Sequence, residues 1–253
     1  MKKQIRSVYY LIIAHCFICA LFTGCVVVNF GNDMNGGGSV QAVGERENYK
    51  VSTGPFSKIK VEGNCDVRYH NGNSDTVTLL VQPNVREHII IETVNGELIF
   101  RTTKKISYGL NKGPVLTVYA PVINQVKIEG AGAFTANDKI TGDSLSLIIS
   151  GAGSGKAELE VNSLSTVISG AGSIDLSGRA NNSVITMSGA GSYNALSLVT
   201  NDATIDMSGA GSIKLNCTGT LRINADGAGS VEYRGSPSLN LNTSGLIGIK
   251  NLN

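Results

Sequence analysis

The chain is 253 residues long, 42% apolar and 16% charged, with 31 glycines, no tryptophan and a formal charge of +2. Lys2, Lys3 and Arg6 sit in a leader without acids, so removing them from the 21 basic residues leaves 18 against 19 acidic ones. A chain so near neutrality lacks the basic footprint of a nucleic-acid binder, and five irregularly spaced cysteines make no disulfide framework.

Residues 1–24 read as an export signal. A basic start is followed by the apolar run "VYYLIIAHCFICALF" and by small residues before Cys25. The run is short for a spanning helix and holds His15, Cys16 and Cys19. "FTGC" is the arrangement that bacterial lipoprotein processing uses, so Cys25 is the expected lipidation site, with palmitate among its acyl chains. The protein would then be anchored in the outer membrane, at its periplasmic or cell-surface face.

Residues 25–50 are rich in Gly, Asn and Val and read as a flexible tether. Residues 51–125 form an N-terminal β part. "FSKIKVEGNCDVRYHNG" alternates Phe56, Ile59, Val61, Val67 and Tyr69 with polar neighbours, and Asn95-Gly96 is a hairpin turn signal. One short helical turn fits at 83–87. Cys65 and Cys217 are expected unpaired, filling apolar positions.

Residues 126–253 repeat. Gly-Ala-Gly begins at Gly130, Gly151, Gly170, Gly189, Gly209 and Gly227, at intervals of 21, 19, 19, 20 and 18. A worn copy, "SGLIGI", starts at Ser244. Such a period marks a repeat architecture. Apolar residues recur two and four positions before the first glycine and four and six after it, with polar ones between. Each repeat therefore reads as two short strands with one buried face, turned by glycines, with the alanine tucked inside the bend. A meander of hairpins fits the same pattern. Stacked rungs fit it better, because they bring Lys156 beside Asp175 and Lys214 beside Glu232. The expected fold is all-β: a single-stranded, right-handed parallel β-helix with rungs of about 19 residues. Serines after each corner, such as Ser154 and Ser173, would stack as a hydroxyl ladder.

"FSKIKVEGNCDVRY", then "PVLTVYAPVINQVKIEGAGAF", then iterated "SGAGS" resemble the head GIN domain family of auto-transporter adhesins. The likeness covers residues 51–253 and implies an exported β-helical domain, often lipid-anchored. It brings no catalytic or ligand residues. The sequence up to Asn253 shows no series of barrel strands, so self-export is not expected.

"SGAGSGK" at 150–156 imitates a phosphate loop and fails it. The first required glycine is Ser150 and the required hydroxyl is Ala157. Catalysis on polysaccharide needs paired carboxylates or a metal cluster. Asp175, Asp206, Asp226 and Glu232 scatter over columns and rungs, Asp206 shares a column only with Asn224, and His70 and His88 have no evident partner. No enzyme, cofactor or metal site is expected. "RTTKKISYGLNKG" offers Arg101, Lys104, Lys105, Tyr108 and Lys112 as a binding loop, an aromatic among cations. "DTV" and "DSL" mark Thr76 and Ser144 as candidate O-glycan acceptors. The sequence thus points to a non-catalytic, lipid-tethered adhesive or scaffolding module for glycan, envelope or host protein. Its alternatives are a glycan-processing β-helix enzyme and a periplasmic component that binds a protein, or its own copy, through a solenoid end.

Overall fold

The computed structural model of the chain describes residues 38–109 and 112–253. The expected signal, Cys25 and most of the expected tether lie outside these residues. Within 38–50 there is already structure: β1 (Val40–Gln41) and β2 (Glu47–Val51), with Ala42 buried. β3 (Lys58–Gly63), β4 (Asp66–Asn71) and β5 (Thr76–Val81) follow. The single-turn helix α1 (Pro83–Arg86) has proline at its start, where a missing N–H costs nothing. β6 (Ile89–Val94) and β7 (Glu97–Thr102) form the hairpin that Asn95-Gly96 signals, both turn residues having positive φ, 50° and 74°. β8 (Ile106–Ser107) pairs with β1.

β9 (Val115–Ala120), β10 (Gln125–Gly130) and β11 (Ala133–Ala136) lead into the repeats. β12 (Ile140–Gly151), β13 (Ser154–Gly170), β14 (Ser173–Gly189) and β15 (Ser192–Gly209) each travel most of a rung. β16 (Ser212–Cys217), β17 (Thr220–Gly227), β18 (Ser230–Arg234), β19 (Ser238–Gly245) and β20 (Gly248–Asn251) complete the stack.

Every pairing from β10 to β20 is parallel, and the first glycines lie in one column from Gly130 to Gly245. This is a parallel β-solenoid of about seven turns with rungs about 19 residues apart. Antiparallel pairing is confined to the N-terminal end, where β5 joins β2 and β9, and β6 joins β7. The stacking does not begin at residue 126. β3 lies under β10 with Gly63 beside Gly130, and β4 lies under β11. "KIKVEGNCDV" is a rung whose corner keeps only its first glycine, at φ +112°.

Within a rung the alternation of buried and exposed residues breaks twice, at the glycine corner and at pairs such as Asn162 and Ser163 or Asn181 and Asn182. Two flat runs therefore face each other, and their inward columns make the core. One column holds Ile128, Ile149, Ile168, Met187, Met207 and Ala225; another holds Phe134, Ile174, Tyr193, Ile213 and Val231. Cys65 and Cys217 are buried and free.

The two glycines of a corner serve different needs. Gly170 lies at φ +107°, which a side chain rarely tolerates, and a Cβ there would sit 2.7 Å from the Gly151 carbonyl oxygen. Gly172 is the buried one. A Cβ on it would stand 2.6 Å from Ile149 Cγ2 of the rung below. The alanine between them is not tucked in: Ala171 is exposed. The left-handed turn at the first glycine sends the next residue outward and the second glycine inward, over the neighbouring isoleucine.

Candidate functional site

Parallel stacking in register, shifted only after Asp175 and after Ala195, places like polar residues over one another on the outside. Asn181 Nδ2 donates to Asn162 Oδ1 at 2.8 Å, and Asn162 Nδ2 to Asp143 Oδ1 at 3.4 Å, a ladder along the second corner. Lys214 and Glu232 are register partners and an ion pair at 2.9 Å. Lys156 and Asp175 are register partners. In the serine column after the corners, Ser230 Oγ donates to Ser212 Oγ at 3.2 Å.

The columns bound shallow furrows on both flat sides. One, of about 340 Å³, lies between two outward columns near the C-terminal end. Thr186, Asp206, Asn224 and Asn242 stand on one bank, and Ser208, Asp226 and Ser244 on the other. Asn224 Nδ2 donates to Asp206 Oδ1 at 2.8 Å, and Ser244 Oγ to Asp226 Oδ1 at 2.9 Å. Asp206 and Asp226 thus share a furrow although they occupy different columns. Adjacent columns with adjacent rungs are diagonal neighbours, about 7–8 Å apart. Column alignment alone misses this, because it compares residues along a column and not across it.

His70 has partners, contrary to the expectation. Asn137 Nδ2 lies 2.9 Å from its Nε2, and Asp138 Oδ2 lies 3.2 Å from its Nδ1. Asp138 Oδ2 also accepts the Asn71 backbone N–H, and the imidazole stacks on Tyr119 with centroids 4.9 Å apart. Stacking β11 on β4 brings these groups together from positions 67 and 68 residues apart, a distance no local pattern spans. With both nitrogens engaged, His70 pins two turns together. A cavity of about 540 Å³ beside it is lined by Asn71, Asn73, Asp138, Lys139 and Thr141. His88 Nε2 lies 3.6 Å from Glu87 Oε1.

On the first rungs Lys60, Glu62, Lys127 and Glu129 form a charge cluster. The Lys127 ammonium hydrogen-bonded to Glu129, with Lys60 near, holds that carboxyl below its usual range; Glu62 and Glu129 raise Lys60.

The basic loop differs from its expectation at the aromatic. Tyr108 is buried, only 9% exposed; its hydroxyl lacks a partner, and burial, with Cys65 near, pushes it up to about 12. With the Tyr108 ring in the core, that aromatic is not presented among the cations. Arg101 is tied to Glu92, Nη2 to Oε1 at 2.8 Å, while Lys104, Lys105 and Lys112 are exposed. Thr76 on β5 and Ser144 on β12 are exposed. Among the described residues no group of three His, Cys, Asp or Glu could hold a metal, and no helix is long and apolar enough to cross a membrane.

The family model described as putative auto-transporter adhesin, head GIN domain, matches residues 55–237. No curated protein matches the chain. A solved structure of a putative adhesin from Bacteroides fragilis is similar over 85% of this chain and all of its own, at 22% identity and a TM-score of 0.79. A putative lipid binding protein from Parabacteroides distasonis is similar over the same shares, at 16% identity and 0.69. A putative adhesin from Parabacteroides merdae covers 85% and 99%, at 19% identity and 0.66. At these identities the likeness is one of fold.

Proposed function

The chain belongs to the head GIN domain family of putative auto-transporter adhesins, and from that premise we propose that it is a non-catalytic, exported binding module. It is held to the outer membrane by lipid on Cys25 and offers the flat outer sides of its solenoid to a partner. One observation carries the reading: hydroxyl, amide and carboxylate side chains stand in register along solvent-facing columns, bonded to one another from rung to rung. Such a surface makes many weak, repeated polar contacts without a reacting centre. Thr76 and Ser144, exposed beside aspartates, would carry O-linked glycans, and Lys104, Lys105 and Lys112 would add a cationic rim.

Beads coated with the full chain test the binding role: they should adhere to epithelial or mucus-coated surfaces above uncoated beads, and equal retention would contradict it. Protease shaving of intact cells reports the membrane face. Cys25→Ala should release the protein from membranes, and retention would refute the lipid anchor.

A second reading, an envelope component that takes a protein partner by strand addition, is favoured by Leu239 and Leu241. They are 42% and 48% exposed, whereas Leu221 and Ile223 one rung earlier are fully buried. Concentration-dependent association in light scattering, abolished by Leu241→Lys, would support this second role.

A further inference from the structure

We infer that the furrow between Asp206 and Asp226 is a binding site for a neutral glycan, a proposal that rests on the binding role above and gives it a ligand class. The outward column three residues before the first glycine runs Ile148, Val167, Thr186, Asp206, Asn224, Asn242. It changes from apolar to hydroxyl, carboxylate and amide along one side of the solenoid. The furrow of about 340 Å³ lies on its polar part.

Its floor is the strand backbone at Met187, Met207 and Ala225, whose side chains are buried in the core. Each carboxylate is already oriented by a neighbour, Asp206 by the Asn224 amide and Asp226 by the Ser244 hydroxyl, through Oδ1. Their Oδ2 atoms remain as acceptors for hydroxyl groups, and an acceptor held in place before binding loses little freedom on binding.

The charge selects the ligand. Two carboxylates and no cation line the furrow, so uronic, sialic or sulfated sugars are repelled. A neutral pyranose brings vicinal hydroxyls for the carboxylates and amides. Rungs repeat at about 4.8 Å, near the width of a sugar ring, so a chain lying along the furrow meets Asp206, Asn224 and Asn242 in turn.

The test is calorimetric titration of the full chain in detergent with cellohexaose, chitohexaose, maltohexaose and hexagalacturonate. At least one neutral hexaose should bind saturably and the acidic one should not. Asp206→Ala and Asp226→Ala should each weaken binding about tenfold or more, the scale of a hydrogen bond to a charged acceptor. Asp175→Ala, on the other flat side, should leave it unchanged, and matching circular dichroism would show all variants folded. Failure of all neutral hexaoses, preference for the acidic one, or affinity unaltered by both furrow variants overturns the proposal. If coated beads still adhere in that case, the binding role stands and the furrow is not its site. If they do not adhere, the broader role fails separately.

Discussion

Ala171 and Gly172 are adjacent and differ by one methyl group, yet they tolerate opposite changes. Ala171→Ser faces solvent and should shift stability by no more than about 0.5 kcal/mol. Gly172→Ala pushes a methyl into Ile149 and the Gly153 carbonyl oxygen, which would lie 2.6 and 3.2 Å from it, and should cost about 1–3 kcal/mol in urea unfolding. Equal effects would mean that the corner is turned the other way. Inside the solenoid, Tyr193 is buried and its phenol is pushed up to about 12, offset in part by the nearby hydroxyls of Ser183 and Thr166. Neither hydroxyl reaches a partner at hydrogen-bonding geometry. Thr166→Val should therefore stabilise the protein by about 1 kcal/mol; a loss of stability would show that the hydroxyl is bonded. The thiols of Cys65 and Cys217 are raised by burial, so both should resist maleimide at pH 8 in the native protein and react in denaturant.

At the scale of the element, the rung, much was legible because the glycine corner fixes the phase of everything around it. From Gly151, Gly170 and Gly189 the inward and outward columns can be counted, and the side-by-side placement of Lys214 and Glu232 follows. The corner's interior is not legible, because spacing cannot say which of three small residues points inward; the sign of φ at the first glycine decides it. The first rung is harder to see: "KIKVEG" matches "QVKIEG", but Asn64-Cys65 replaces Ala-Gly and hides it. Tyr108 and His70 were not legible, since their surroundings come from distant strands. The charge cluster on the first rungs gives a pH dependence with two limbs. Glu129 is lowered, so its contribution is present above the ordinary carboxylate range and is lost as pH falls through its folded value. Lys60 is raised, so its contribution is present below the ordinary lysine value and is lost as pH rises through its folded one. Both groups are partly exposed, so each limb should amount to a few tenths of a kcal/mol. Glu129→Gln should flatten the acid limb of urea midpoints against pH.

The solenoid is quasi-one-dimensional: each rung touches only its neighbours, so length is adjustable in whole rungs. Deleting residues 171–189 joins Gly170 to Ala190 in the same phase and should give a folded protein of lower stability, while deleting half that length should prevent folding. The outward columns inherit their regularity from this stacking, and the furrow at Asp206 and Asp226 exists only because successive rungs advance by one strand. The distance between nitroxides at Lys156→Cys and Lys250→Cys tests that advance most directly. These positions are five register steps apart, through Asp175, Asn194, Lys214 and Glu232. One strand per repeat predicts about 24 Å by pulsed electron resonance, whereas about 48 Å, two strands per repeat, would contradict the solenoid.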